Sequence, residues 1–240
     1  MLCVLIRHLR NLVSVVFWAL LLLLLRLSIP ASADIQSAND AIQKKDYVKA
    51  LSLFQEAASN GDVKAALAVA DMYEGGLGVP VDYVQSAAWC RRAAQGGYAP
   101  AQSIMGTLYR EGRGVPQNYE KAVYWYRMGA EQGWASAEFG LGNLYYFGRG
   151  LPKDVEQATQ WLLKSAQHGD PEGQLLVGTL YLTGIGVGPR NYYKAYVWTV
   201  RSLAHGGEPR KSVTDQMNRI AQFLTPQERT LAEKEALQKP

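Results

Sequence analysis

Cysteine is nearly absent from this chain, with Cys3 and Cys90 the only two among 240 residues. Cys90 lies in an apolar helical pattern beside Trp89, so we expect a buried, unreactive thiol without an internal disulfide partner. The sequence also lacks Gly-x4-Gly-Lys-[Ser/Thr], His-Glu-x-x-His and any serine followed by lysine at Ser-x-x-Lys spacing. These absences argue against a P-loop nucleotide site, a metalloprotease-type zinc site and a serine β-lactamase.

The chain also lacks an uninterrupted apolar run of the ~20 residues that a membrane-spanning helix needs. The stretch from Leu12 to Leu25 is almost entirely apolar, two arginines precede it, and Arg26 ends it. A small-residue segment, Pro30 to Ala33, follows. This order predicts a secretory signal peptide over residues 1–33 and an exported, periplasmic protein. The same residues leave open an uncleaved signal that anchors the chain in the inner membrane, facing the periplasm.

An excess of charge of one sign is missing as well. Loss of Arg7, Arg10 and Arg26 with the signal leaves 22 basic residues against 21 acidic ones, so the net charge falls from +4 for the full chain to +1. No basic block survives in the exported chain. We therefore expect neither nucleic acid nor an anionic membrane surface as a partner.

A repeated motif dominates what is present. The pattern Tyr-x-x-Gly-x-Gly-[Val/Leu] begins at Tyr73 and returns every 36 residues, at Tyr109, Tyr145 and Tyr181. A period of this length is typical of stacked helical hairpins. Within each unit, the paired glycines end the first helix, and an Asp or Asn two residues after a proline caps the second. The predicted caps are Asp82, Asn118, Asp154 and Asn191.

The motif resembles the Sel-1-like repeat family, which is related to the tetratricopeptide repeat. The resemblance is carried by Ala101-x-x-Ile-Met-Gly-x-Leu-Tyr109-x-x-Gly-x-Gly-Val115 and Asn118-x-x-Lys-Ala122-x-x-Trp125-Tyr-x-x-Gly-Ala130-x-x-Gly133. It implies a scaffold or adaptor that binds other proteins, often in the bacterial envelope. Some exported, cysteine-rich members are linked to β-lactams, but they carry a cysteine pair in each repeat, and this chain has only Cys90 there.

We therefore predict an all-α fold, a right-handed α-α superhelix of about five helix-turn-helix repeats with a C-terminal helical cap. The predicted solenoid spans residues 34–208, with repeats near 34–62, 63–98, 99–134, 135–170 and 171–208. Residues 209–240 should form the cap, whose last helix starts at Thr225 and carries the apolar stripe Leu231, Ala232 and Leu237.

Three other features have structural explanations that we favour over functional ones. The Gly-x-Gly turns lack the preceding strand of a dinucleotide site. His168 and His205, one repeat apart, are too few for a metal site and are interpreted as exposed helix-end residues. Trp89, Trp125 and Trp161 fall on the inward helical stripe and are expected to be packing residues, whereas Trp134 lies in an inter-repeat turn and should be exposed.

The candidate binding surface is the concave wall formed by the first helices. By analogy with tetratricopeptide repeats, its positions lie six and two residues before the motif tyrosine and one after. Small polar groups flanked by apolar side chains suit an extended peptide or a partner helix, although an ordinary solvated face is equally consistent with these residues. The predicted groove consists of Leu67, Asp71, Glu74, Ser103, Thr107, Arg110, Phe139, Asn143, Tyr146, Leu175, Thr179 and Leu182.

The sequence thus predicts a non-enzymatic, monomeric protein-interaction scaffold in the cell envelope, with no cofactor, no metal and a protein or peptide partner. Two alternatives remain open from the sequence: a β-lactam- or peptidoglycan-active exported repeat protein, and a polysaccharide-secretion scaffold.

Overall fold

The computed structural model describes residues 31–205 and 211–238, so the predicted signal segment lies almost wholly outside the described residues. The described part consists of twelve α-helices joined by short turns and contains no strand. Helices pack in consecutive antiparallel pairs, as an all-α repeat stack requires. In chain order they are α1 Ala31–Gln43, α2 Tyr47–Ser59, α3 Val63–Gly75, α4 Tyr83–Gln95, α5 Ala99–Glu111, α6 Tyr119–Glu131, α7 Ala135–Phe147, α8 Val155–Gln167, α9 Pro171–Thr183, α10 Tyr192–His205, α11 Lys211–Ala221 and α12 Pro226–Ala236.

The Gly-x-Gly turns both end a helix and allow repeats to approach closely. Gly112 has φ 75° and ends α5, where its N–H donates to the carbonyl of Leu108. Two residues later, a Cβ on Gly114 would overlap the carbonyl of Tyr83, at the start of the preceding repeat's second helix. The first glycine therefore adopts the left-handed backbone conformation that ends the helix. The second has no side chain, which leaves room for one repeat to pack on another.

The four predicted caps of the second helices are confirmed. Asp82 accepts backbone hydrogen bonds from Val84 and Gln85, and the side chains of the others each accept the N–H three residues on. These bonds satisfy N–H groups that have no partner inside the helix. Because the cap sits at the same place in every unit, it fixes where each second helix begins. The other caps are Asn118, Asp154 and Asn191.

The tryptophans are less uniformly buried than the sequence suggested. Trp125 is 8% exposed and is the one fully packed member of the row. Trp89, Trp161 and Trp198, which holds the same place in the last repeat, are half-buried, and each has a cation above its ring from the residue three positions later. These are Arg92 over Trp89 at 4.5 Å, Lys164 over Trp161 at 4.2 Å and Arg201 over Trp198 at 4.8 Å. Their outer faces are covered by side chains of the same helix rather than by the core.

The curvature of the stack places the first helices on its inner side. First helices of neighbouring repeats contact each other directly, α5 with α7 and α7 with α9. The second helices contact mainly the first helices before and after them. Successive first helices are thus closer together than successive second helices, so they form the inner wall.

The C-terminal cap differs from its predicted packing in one respect. Helix α11 buries Val213 and Ile220, but Leu231 in α12 and Leu237 directly after it are 58% and 76% exposed, so they do not form the predicted apolar stripe. The buried face of α12 is instead formed by Ala232 and Ala236. Small residues fit here because α12 lies close against α10.

Within the described ranges, no helix is both long enough and apolar enough to cross a membrane.

Candidate functional site: the inner wall

The N-terminal part of the inner wall carries charges that are largely paired. The Glu74 carboxylate lies 2.9 Å from the guanidinium of Arg113, and Arg110 lies 2.6 Å from Glu111. Asp71 remains exposed. Partial desolvation raises the pKa of its carboxyl above the usual value, and the Glu74 carboxylate raises it further. The acidic character of this end therefore comes from Asp71, because Arg113 of the next repeat pairs with Glu74.

The next repeat presents little free hydrogen-bonding capacity. Ser103 is only 6% exposed, and the hydroxyl of Thr107 shares a 2.9 Å hydrogen bond with that of Tyr126. The close approach of Tyr126 is possible because Gly106 lacks a side chain, since a Cβ there would lie 2.5 Å from the tyrosine ring. Burial is the main cause that raises the pKa of the Tyr126 hydroxyl. This segment of the wall is mostly occupied by internal contacts.

The centre of the wall combines one amide with aromatic surface. Phe139 and Tyr146 are half-buried and pack against the apolar cluster that contains Leu162. Asn143 lies between them on α7, and its side-chain amide donates to the carbonyl of Phe139 at 3.1 Å. The side-chain oxygen of this amide adds a hydrogen-bond acceptor to the surface. Phe147, which is not among the predicted groove residues, extends the aromatic surface: it is 59% exposed and meets Tyr146 edge to face at 5.1 Å.

The C-terminal part of the wall is joined to the cap. Leu175 and Leu182 are half-buried, and the hydroxyl of Thr179 accepts a hydrogen bond of 3.2 Å from the side chain of Gln216 on α11. Gln216 follows Thr179 by 37 residues, the same step that separates Trp161 from Trp198. Sequence reasoning missed Gln216, although this spacing was available as a signal. The cap helix thus continues the polar row of the inner wall.

The histidine near the inter-repeat turn is more constrained than the sequence indicated. His168 Nδ1 lies 2.8 Å from Glu138 Oε2, and the Glu138 side chain is only 2% exposed. The interpretation of His168 as a simple helix-end residue is therefore incomplete, while the side chain of His205 lies outside the described part. Glu138 was missed because the two residues are 30 positions apart.

Among residues 31–205 and 211–238, no cluster of three or more His, Cys, Asp or Glu is placed to hold a metal ion.

Comparison with known families identifies the repeat. The family profile described as Sel1 repeat matches residues 40–62, 63–98, 99–134, 135–170 and 171–206. This chain belongs to the Sel1 repeat family. No curated protein sequence matches it. Sel1 repeats are related to tetratricopeptide repeats and generally serve as non-catalytic scaffolds for protein–protein interaction.

Solved structures share this fold. A Sel1 repeat protein from Oxalobacter formigenes is 28% identical, with a TM-score of 0.73 and 89% of each chain covered. The PilF structure from Pseudomonas aeruginosa is 18% identical, with a TM-score of 0.57, covering 86% of this chain and 88% of that one. The immunity protein Pa5087 from Pseudomonas aeruginosa is 18% identical, with a TM-score of 0.52 and coverages of 88% and 85%. At these identities the two Pseudomonas structures support the Sel1-like fold alone.

Proposed function

We propose that this Sel1 repeat protein is an exported, monomeric scaffold that binds a protein segment along its inner wall. The observation that carries the proposal is the aromatic centre of the wall, where Phe139 and Tyr146 flank the Asn143 amide. An extended peptide or a helix presents apolar side chains together with polar backbone or side-chain groups, and this surface offers matching partners for both. The scaffold works in the periplasm or, if its signal remains uncleaved, at the periplasmic face of the inner membrane.

The position of the aromatic surface favours the centre of the stack as the main contact region. The charged N-terminal part is occupied by the Arg113–Glu74 and Arg110–Glu111 pairs, and the C-terminal part is bridged by Gln216 to Thr179. A partner that binds at those ends must compete with internal bonds. At the centre, aromatic side chains are already held against the core and lose little conformational freedom on binding.

Site-specific photocrosslinking in intact cells tests the wall directly. A photoreactive residue replaces Asn143 on the inner wall or Gln160, which is exposed on the second helix α8. We expect a discrete protein adduct from position 143 and none from position 160. Adding Tyr146→Lys should remove the adduct, because an ammonium replaces the aromatic contact. Equal crosslinking from both positions would disprove binding on the inner wall.

The compartment is tested separately. A fusion of alkaline phosphatase to the C-terminus should be active in cells, because this reporter folds only after export. Osmotic-shock release would indicate the periplasmic form, and recovery with the inner membrane would indicate the anchored form. An inactive, cytoplasmic fusion would contradict export.

A further inference from the structure

Two departures from the repeat pattern meet at one inter-repeat turn. The first concerns the residue that precedes each first helix. Asp62 and Asp170 cap their helices by accepting backbone N–H groups, whereas Tyr98 and Trp134 at the equivalent positions make no side-chain cap. Trp134 is also 41% exposed, although tryptophan has the largest apolar surface of any residue. The chain therefore forgoes a stabilising cap at this turn and exposes an indole in its place.

The second departure is the Glu138–His168 pair. One repeat earlier, the same two positions hold Gln102 and Gln132, joined by a 2.7 Å amide hydrogen bond. The Gln102 side chain also donates to the carbonyl of Ala94, a neutral arrangement that leaves no buried charge. A buried carboxylate is unfavourable unless it is paired, and Glu138 has His168 as its partner at 2.8 Å. A neutral amide pair was evidently compatible with this backbone, so the acid and imidazole are candidates for a functional role.

Trp134 and His168, one residue from each departure, line the same cleft. It has a volume of about 340 Å³ and lies between the turn that enters α7 and the turn that enters α9. Its walls include Trp134, Ser136, His168, Asp170 and Pro171. The hydroxyl of Ser136 donates to the Asp170 carboxylate at 3.2 Å, which ties the two turns together. Because Glu138 engages Nδ1 of His168, the ring is held in one orientation and Nε2 is the nitrogen available to a ligand.

We propose that this cleft binds a sugar ring of an oligosaccharide. An exposed indole provides a flat apolar surface for the C–H face of a pyranose. Ser136, His168 and Asp170 provide hydroxyl, imidazole and carboxylate groups, which match sugar hydroxyls because those both donate and accept hydrogen bonds. The site lies at the turn edge of the stack, so it is independent of partner binding on the inner wall. Glu138 does not contact the sugar; it is a positioning residue for His168.

A peptide side chain is the competing occupant, and the shape of the site argues against it. Peptide anchors prefer enclosed apolar pockets from which water is excluded. Here one indole and three polar side chains line an open cleft. Several polar partners around a single stacking surface favour a polyhydroxylated ring over an apolar anchor.

Nuclear magnetic resonance titration of the full chain tests the proposal. The protein is held in dodecylphosphocholine micelles, because glycosidic detergents would compete for the site. Cellotetraose and chitotetraose are the probes, and the indole N–H signal of Trp134 is assigned with Trp134→Phe. We expect a saturable shift of this signal with at least one probe, and affinity roughly tenfold weaker in Trp134→Ala, as expected for loss of one stacking contact.

Matched variants separate the site from general effects on folding. Tyr98→Ala alters the equivalent turn one repeat earlier and should leave sugar binding unchanged. Glu138→Gln should keep the melting temperature close to that of the parent, yet weaken sugar binding and move the ¹⁵N signal of His168 Nδ1. A purely structural Glu138 would leave the sugar affinity unaltered.

Two results would overturn the sugar site. One is the absence of a saturable Trp134 shift with both oligosaccharides up to their solubility. The other is a Trp134 shift produced by an Ala-Pro repeat peptide but by neither sugar, which would assign the cleft to a peptide.

Discussion

The guanidinium of Arg201 donates to the carbonyl of Ala236 at 3.3 Å, across 35 residues of chain. Two further hydrogen bonds reach the carbonyls of Glu235 and Gln238, and Arg201 itself is only 6% exposed. The last carbonyls of a helix have no partner within it and carry partial negative charge. Through these hydrogen bonds, the buried Arg201 of the last repeat holds the C-terminal end of α12 against the repeats.

Arg201→Met should loosen the cap. The substitution keeps the aliphatic part of the side chain but removes the arginine donor from three carbonyls, so we expect a loss of roughly 2–3 kcal/mol in cap stability. Hydrogen–deuterium exchange should become faster in α12 and remain unchanged in α3 to α8. Arg92→Met is the control, because Arg92 also lies above a tryptophan but is exposed. It should change stability by less than ~0.5 kcal/mol; equal effects of both substitutions would refute the anchoring role of Arg201.

Gly106→Ala should destabilise the second full repeat. Alanine favours a helix over glycine by ~1 kcal/mol, but its Cβ would lie 2.5 Å from the ring of Tyr126, and such overpacking typically costs ~1–3 kcal/mol. Urea denaturation would measure the net loss. Gly75→Ala offers a matched comparison, because its Cβ meets only Leu77 at 3.6 Å. That variant should be as stable as the parent or more so, and a destabilised Gly75→Ala would show that the crossing geometry is not the cause.

Cys90 should resist thiol reagents in the folded protein. Burial raises the pKa of its thiol to about 12, and Sγ donates to the carbonyl of Ala101 at 3.5 Å. The reactive thiolate is therefore scarce at about pH 8 and is also shielded from the reagent. In a Cys3→Ser background, Ellman's reagent should react only after denaturant is added, whereas an added exposed Ser59→Cys should react at once. Rapid labelling of native Cys90 would contradict the packing of α4 against α5.

Glu138 should make the protein less stable as pH rises from about 4 to about 7. Burial raises the pKa of its carboxyl above the usual value, an effect opposed by His168 and Lys164 and reinforced by Asp170. A raised pKa in the folded state means that the native protein binds more protons than the unfolded chain in this range. Stability from Glu138 is therefore present at low pH and is lost as pH rises through the folded-state pKa.

Denaturation at about pH 4 and about pH 7 measures this linkage. Glu138→Gln cannot titrate, so its stability relative to the parent should increase between the two pH values. Gln102→Glu introduces an acid at the equivalent site one repeat earlier, opposite Gln132 instead of a histidine. It should lose more stability with rising pH than the parent does. A relative stability of Glu138→Gln that does not change with pH would contradict the raised pKa.

Much of the fold could be read from local chemistry. Helix boundaries are specified by residues close to them in the sequence: the motif tyrosines at 36-residue steps, the glycines that end each first helix, and the Asp or Asn caps. Asp82 and Gly112 act as expected. The candidate wall was identified by register, because equivalent positions in a repeat face the same way. What the sequence could not show was which of those polar groups were already engaged, as Thr107 is with Tyr126 and Glu74 with Arg113.

The sequence by itself therefore determined the repeat, its period and the start and end of each helix, because these depend on backbone conformation and capping within a few residues. Only the tertiary structure decided how each face is used. It paired Glu138 with His168, turned Leu231 outward and placed Arg201 at the end of α12. Such outcomes depend on which side chains a neighbouring helix brings into contact from 30 or more residues away in the sequence. The period of the repeat does not specify those individual side-chain contacts.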